Sequence, residues 1–422
     1  MTSKLLHIPG SAGLPVVGDK SYEYYKDAVQ FVLKRIDQHH SRIFISRLLN
    51  TPTVFVADHS MVNELLKDHG EHLEFGYKVF MHNVLGDNIL FANGEEADNI
   101  RKIFHRLLDE TTVGHFQDIV ERLVEKHLQG VETRETICAY TMVKKLATEI
   151  CLTLFLGVDF EESKELASRI CELTTTHWHG IISVPVNFRV PFGTSSTYSK
   201  ALEAKKLLLE IIQTKLHAED TDATFPLQVR EAGFKTPILA ANHLLLLTSA
   251  LVPKALASLV TSFVLVTSQW MSKYEIEDML DNQKHFDAVL LEVQRLWPPF
   301  AGGRRVVKKD LVLSAGYRIP HGHAVLYCTH ASHRDPKVFP DPDNFRPDRW
   351  SNSSLSKDSL FCFGGGARDC VGQHIMWNML RTICTSLISQ FTWELEEGQC
   401  LEYKWLPVSR PKDKVKAKFT RK

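Results

Sequence analysis

Phe363-Gly364-Gly365-Gly366-Ala367-Arg368-Asp369-Cys370-Val371-Gly372 is the stretch from which the rest of the chain is read. Three consecutive glycines let the backbone turn tightly and leave one surface bare of side chains, so a flat group can lie against it. Cys370 follows the turn and precedes an apolar segment, Ile375 to Ile388, that reads as a helix. A helix N-terminus carries partial positive charge and unpaired N–H groups, which favour a thiolate and make Cys370 a ready metal ligand. Arg368 is a charge-assisted partner for a carboxylate. Three other readings compete. A lone cysteine is commonly a small buried hydrophobe. A phosphate-cradling G-x-G-x-x-G loop fails because Asp369 stands where glycine is needed. A zinc site lacks ligands at short spacing beyond Cys362.

The stretch resembles in full the heme-binding signature F-x-x-G-x-R-x-C-x-G of the cytochrome P450 family, with Phe363, Gly366, Arg368, Cys370 and Gly372 on its fixed positions. The resemblance implies a mainly α fold with small β-sheets, the cytochrome P450 fold, as a single domain over residues 1–422. It implies heme b as cofactor, Cys370 as axial thiolate on the iron, Arg368 paired with a heme propionate, and Phe363 packed beside the sulfur. Two further segments agree. Glu292-Val293-Gln294-Arg295 places Glu and Arg on one helix face. Phe345-Arg346-Pro347-Asp348-Arg349-Trp350 resembles the family's F-x-P-x-R-F/W segment. Together they imply a buried Glu292–Arg295–Arg349 network beneath the heme loop. Arg101 matches the family's propionate arginine in an early helix, Gly94 to Leu108, while Ala97 replaces the aromatic residue four positions earlier. Arg305, five residues before Asp310, fits a second propionate arginine; adjacent Arg304 is the competing assignment.

The bulk numbers exclude some classes. Lys plus Arg and Asp plus Glu are both 50 in 422 residues, so the chain lacks the global basic field that nucleic-acid binding uses. Eight scattered cysteines with no C-x-x-C suit a reducing compartment. Met1 to Leu14 shows no signal peptide or membrane anchor, which leaves either a soluble enzyme or one whose N-terminal anchor has been removed. The expected location is the cytoplasm or the periphery of a membrane.

Along the chain, Ser21 to His39 reads as one amphipathic helix capped by Ser21, and Ile43-Phe44-Ile45 with Val54-Phe55-Val56 as a hairpin turning at Asn50-Thr51-Pro52. Helices are predicted over Ser60 to His69, Phe116 to His127, Thr141 to Leu156, Tyr198 to Lys215 and Tyr274 to Leu296, and short strands between Val306 and Tyr327. Thr175 to Gly193, with Val184-Pro185-Val186 and Val190-Pro191-Phe192-Gly193, reads as a mobile lid carrying His177 and His179 as surface histidines. The lid and the helix after it loosely resemble the family branch acting on retinoids, sterols and terpenoids. Lys412 to Lys422 alternates apolar residues with lysines, the pattern of an edge strand.

Thr236 to Ser272 is the most apolar stretch. Each half approaches the length of a membrane span, but Asn242, His243, several Ser and Thr, and Lys254 argue against one, and the position between lid and heme loop resembles that of the family's long central helix, which crosses the heme. The family usually carries an acid and a threonine there to deliver protons to bound oxygen. Aligned on that groove are Thr248, Ser249, Ala250, Leu251 and Val252, so acid and alcohol become Leu251 and Val252. Either Thr248 and Ser249 carry the relay or the alignment slips by a residue. Pro253 frees the carbonyl of Ser249, at roughly 3 kcal/mol in a helix interior. Thr248, Ser249 and Val252 share a face, with Lys254 turned away.

The expected function is monooxygenation of a lipophilic small molecule (lipid, retinoid, sterol or terpenoid-like). Electrons would come from a separate donor protein, because no flavin or nicotinamide motif is present. No nucleic-acid partner is expected, and peripheral membrane contact is compatible with the sequence. The alternatives are a peroxide- or endoperoxide-using peroxygenase or isomerase, which needs no proton relay, and a heme-binding protein without turnover.

Overall fold

The computed structural model describes residues 5–131, 135–187, 195–218, 224–351 and 355–422. Helices dominate, with four small sheets among the described residues. The centre is the Leu251–Trp270 helix, whose Leu256, Val260, Phe263 and Val264 are fully buried. Burying side chains of this size stabilises by about 1.5–3 kcal/mol each. Around it pack Ala139–Leu156, Gln283–Leu296 and Gln373–Gln390, whose apolar faces merge into one core with it. The stretch Pro237–Trp270 is apolar and long enough to cross a membrane by composition, yet most of it is buried inside the protein.

That stretch is two helices, not one. Pro237–Leu247 ends at Thr248, and Leu251–Trp270 begins three residues later. Pro253 therefore sits in the first turn of its helix, where a missing N–H costs little, and the interior penalty does not apply. Two other long helices are also split. Ser21–Lys26 gives way to Ala28–His39 at Asp27, whose carboxylate accepts from the Gln30 N–H. Ser21 is not a cap; its hydroxyl accepts from the Leu49 N–H at 2.7 Å. Lys273–Asp281 gives way to Gln283–Leu296 at Asn282, which caps the second helix through the His285 N–H. In each case a side-chain acceptor satisfies N–H groups that a continuous helix would have bonded internally.

The largest sheet runs in the order Ile43–Leu48, Thr51–Val56, Ala324–Tyr327, Gly303–Val307, Leu73–Phe75. Its first hairpin turns at Leu49 and Asn50, with φ of 53° and 54°, rather than at Asn50-Thr51-Pro52. That mirror-image turn matches the strand twist. Lys416–Arg421 is the middle strand of a second sheet, between Thr136–Cys138 and Phe391–Leu395, so the expected edge strand is a central one. Alternation still holds: Ala417 and Phe419 are buried and Lys416 and Lys418 exposed.

The expected lid is partly wrong. Thr175 to Ile181 belongs to the Lys164–Ile181 helix. His177 is fully buried, with Nε2 2.9 Å from the Val84 carbonyl; His179 is exposed as expected. The segment Val190-Pro191-Phe192-Gly193 lies outside the described residues. The Thr197–Leu216 helix follows it.

Candidate active site around Cys370

The glycine-rich loop closes on itself through bonds from the Cys370 N–H to the Phe363 carbonyl at 2.8 Å and from the Asp369 N–H to the Gly366 carbonyl at 3.2 Å. Gly364 and Gly366 take φ of 77° and 66°, in the left-handed region. A Cβ on Gly366 would stand 2.2 Å from the Leu66 carbonyl oxygen, so only glycine fits against the His59–Lys67 helix. Phe363 packs half-buried against the main core. Gly372 immediately precedes the Gln373–Gln390 helix, and its N–H approaches the Cys370 sulfur.

Of the eight free cysteines, Cys370 alone is exposed. The thiol lies in a recess that solvent reaches, with protein packed around its remaining sides. That packing raises its pKa, the Gly372 N–H lowers it, Asp369 raises it and Arg101 lowers it. The upward direction contrasts with the thiolate that the helix N-terminus suggested. A coordinated metal would remove the proton outright. Cys362, the other cysteine of the region, donates to the Gln294 carbonyl at 3.3 Å, and burial pushes its thiol pKa strongly up. It is a structural thiol.

Three arginines converge on this loop. Arg101, from the Gly94–Leu107 helix, donates to the Asp369 carbonyl at 2.9 Å and pairs with the Asp369 carboxylate. Arg368 donates to the Ala92 carbonyl at 3.2 Å and to the Asn93 side-chain oxygen. Its pKa is lowered, first by burial, then by the charges of Arg305 and Arg101, against the opposing pull of Glu74 and Asp98. Arg305 lies between the rings of Phe75 and Tyr327, 5.8 and 5.6 Å away. Neighbouring strand residues face opposite sides, so the two candidates have different surroundings. Arg304 is buried on the other face, donating to the Gly76 carbonyl beside Tyr77. Among the described residues, Arg305 and Arg368 form no salt bridge. Unpaired guanidinium groups around an accessible thiol and a bare glycine surface suit a flat, metal-bearing ligand with two carboxylates.

The break between the two central helices carries the expected groove residues. The Thr248 hydroxyl is buried and donates to the Leu244 carbonyl at 2.7 Å. Ser249 is buried as well; its hydroxyl accepts from the Leu251 N–H at 3.5 Å. Among the described residues no backbone N–H reaches the carbonyls of Thr248 or Ser249. Leu251 packs with Ala250, Trp178 and Val408 in one apolar cluster, and Val252 against the main core. Leu247 and Val371 pack on a shared cluster with Ala97, Ile100 and Leu239, which ties the end of the first central helix to the residue after Cys370.

Beneath the loop the expected network is present. Glu292 is fully buried and accepts from Arg295 at 2.8 and 2.9 Å, from Arg349 Nε at 3.1 Å, from the Arg346 N–H at 2.9 Å and from Trp350 Nε1 at 2.9 Å. Arg295 also reaches the His333 and Asn344 carbonyls at 2.9 and 3.1 Å. A cleft of about 1030 Å³ on the Gly94–Leu107 helix, lined by Glu95, Asn99, Lys102 and Arg106, contains none of the residues expected at the site.

Sequence reading missed Asn93, Asp369 and the buried His243. His243 accepts from the Ile89 N–H at 3.0 Å, stacks on Phe234, and has its pKa lowered by burial to about 4. Nothing in local spacing signals these contacts, because each joins segments far apart in the chain: Asp369 with Arg101, Asn93 with Arg368 and His243 with Ile89.

A family model described as cytochrome P450 matches residues 8–246 and 273–419. The unmatched interval spans the helix break and the helix that follows it. The putative cytochrome P450 120 of Synechocystis sp. (strain ATCC 27184 / PCC 6803 / Kazusa) is 26% identical, over 97% of this chain and 96% of its own length. Among solved structures, a retinoic acid-bound cyanobacterial CYP120A1 superposes with a TM-score of 0.85 at 24% identity, covering 99% of this chain and all of that one. A CYP152N1 structure with myristic acid superposes at 0.79 with 20% identity, covering 99% of this chain and 100% of that one.

Proposed function

Since the chain belongs to the cytochrome P450 family, and so is a heme-dependent, monooxygenase-type oxidoreductase of lipophilic molecules, we propose that Cys370 is its axial ligand and that it inserts one oxygen atom at a C–H or C=C bond of a lipid-like substrate. The observation that carries this reading is the one exposed cysteine on a side-chain-free glycine turn, ringed by Arg101, Arg305 and Arg368. The guanidinium groups of Arg305 and Arg368 would hold the heme carboxylates, with Arg101 shared between heme and Asp369. Heme iron bound by thiolate supplies the oxidising chemistry, because electron density pushed onto iron favours O–O cleavage.

The chain's own part is to bind, to exclude water and to handle protons. Leu251 and Val252 carry no exchangeable proton. The Thr248 hydroxyl hydrogen is committed to Leu244. Ser249 is the remaining carrier: its hydroxyl hydrogen meets no acceptor among the described residues, and its carbonyl is open to a water or a substrate group. A single serine is a weak relay, and that observation favours a second reading. A hydroperoxide or endoperoxide arrives with its O–O bond made and needs less proton delivery. The bound carboxylic acids of the two fold neighbours, retinoic and myristic acid, support a lipophilic substrate class. A separate electron-donor protein serves the oxygen-dependent route. Exposed Leu14, Val16 and Val17 support peripheral membrane contact.

The test is turnover of a lipid library in two regimes, donor protein plus oxygen, and hydroperoxide alone. Product from oxygen with reductant tightly coupled to it supports monooxygenation. Product from hydroperoxide alone supports the second reading. Heme-loaded protein that yields product in neither regime contradicts both.

A further inference from the structure

Three segments bring an apolar residue and a nearby cation together beside the helix break. On the Leu251–Trp270 helix, Leu251 is followed one turn on by Lys254. Just before the two-residue strand Arg410–Pro411, Val408 is buried in the same apolar cluster as Trp178, and Ser409 is hydrogen-bonded to Ser258 at 3.0 Å. On the Ala139–Leu156 helix, Tyr140 is followed one turn on by Lys144. Leu251, Val408 and Trp178 belong to one apolar cluster. The Lys254 ammonium lies 4.3 Å from the centre of the Trp178 ring, and the Arg410 guanidinium 5.8 Å from that of Tyr140.

Among the described residues no carboxylate pairs with these cations. Among the described residues, Lys254, Lys144, Arg410 and the neighbouring His179 form no salt bridge with an Asp or Glu. Lys254 is half-buried yet has no side-chain hydrogen bond among the described residues. Burying a charge without an opposite partner is costly. Its ammonium pKa is pushed down to about 7, first by burial, then by the charges of Lys144 and Arg410. His179 is lowered too, by burial and then by Lys254 and Lys144. A cation over an indole face keeps some stabilisation from the ring, but an anion is what the cluster lacks.

We propose that Lys254, with Lys144 and Arg410, binds the carboxylate of an amphiphilic substrate whose apolar chain lies along Trp178, Leu251 and Val408. The inference rests on the reading of the protein as an enzyme of lipophilic molecules, and it narrows that class to anionic amphiphiles. Lys254 and Arg410 are then specificity residues, placed away from the reacting atoms.

The experiment measures equilibrium binding of laurate and of dodecanol to the heme-loaded protein by calorimetry. Wild type, Lys254→Met, Arg410→Met and Lys254→Arg are compared, with heme content and melting temperature followed for each. Wild type should bind laurate tighter than dodecanol by roughly 10–100-fold, the range of a hydrogen bond to a charged group. Lys254→Met should erase most of that preference and leave dodecanol binding within about three-fold, because only the charged contact is lost. Lys254→Arg, which keeps the charge, should retain it. Equal affinity of wild type for the two probes overturns this inference alone, as does a preference that survives Lys254→Met and Arg410→Met together. Failure of wild type to bind either probe overturns it along with the lipophilic-substrate reading.

Discussion

Single atoms decide the heme loop. Gly366 cannot carry a side chain, since its Cβ would fall 2.2 Å from a backbone oxygen and its φ is 66°. Gly366→Ala should therefore displace the loop and lower heme content, at a cost above the roughly 1–2 kcal/mol of left-handed backbone alone. At Gly372 the same change meets only the Cys370 sulfur at 3.9 Å with φ of −92°, so Gly372→Ala should fold with heme bound. Heme-to-protein ratio and thermal melting compare the two; equal loss in both would show that the loop is not held by Leu66. A second residue-scale prediction concerns pH. Burial holds His177 and His243 at pKa values of about 4, against an ordinary 6.5. The unfolded chain takes up protons first as pH falls, so stability is complete above about pH 6.5 and is lost toward pH 4. The slope should approach roughly 1.4 kcal/mol per pH unit for each group. Denaturant titrations at pH 5 and 7.5 check it, and His243→Gln should flatten the curve by about one proton; an unchanged slope would contradict the assignment. At this scale the loop was legible because its chemistry is local: turn, thiol and guanidinium follow one another in sequence. The different surroundings of Arg304 and Arg305 were not, because they depend on which face of a strand each occupies.

At the level of elements, the break between Pro237–Leu247 and Leu251–Trp270 is the feature that sequence periodicity concealed. Apolar spacing runs without interruption through Thr236 to Ser272, and Pro253 read as a kink inside one helix. In the structure it stands in a first turn, so Pro253→Ala should change stability by less than about 1 kcal/mol, not the ~3 kcal/mol of an interior proline. Chemical denaturation measures this, and a gain near 3 kcal/mol would show that the helix is continuous. The break also leaves the Ser249 hydroxyl hydrogen and carbonyl without partners among the described residues, which is why Ser249 is the proposed proton carrier. Ser249→Ala should lower the oxygen-dependent rate about ten-fold or more, general acid assistance typically being worth 10²–10⁴, and leave the hydroperoxide-dependent rate within about two-fold. Equal losses on both routes would assign Ser249 a packing role. His177 departs from the sequence expectation for a related reason. A histidine pair in a polar, proline-bounded stretch looks like a loop, and only the helix that follows and the Val84 carbonyl bury one of the two.

For the molecule as a whole, the network under the loop sets the fold's tolerance. Glu292 accepts hydrogen bonds from two helices' worth of chain, through Arg295, Arg346, Arg349 and Trp350. Removing it leaves buried guanidinium charge unpaired, so Glu292→Ala should cost roughly 3–5 kcal/mol and give protein poor in heme. Normal heme content and melting would show that the arginines find other partners. The mainly helical architecture and this network were legible from motifs far apart in the chain, whereas the middle position of Lys416–Arg421 in its sheet was not. Alternation reports which faces are wet, not which strands lie alongside. All of it converges on Cys370. The most direct measurement is the absorption spectrum of the reduced, carbon monoxide-bound protein. The wild type and Cys362→Ala should both show the red-shifted Soret band of thiolate coordination, and Cys370→Ala should lose it. A band that survives Cys370→Ala, or one that disappears in Cys362→Ala, would contradict the account.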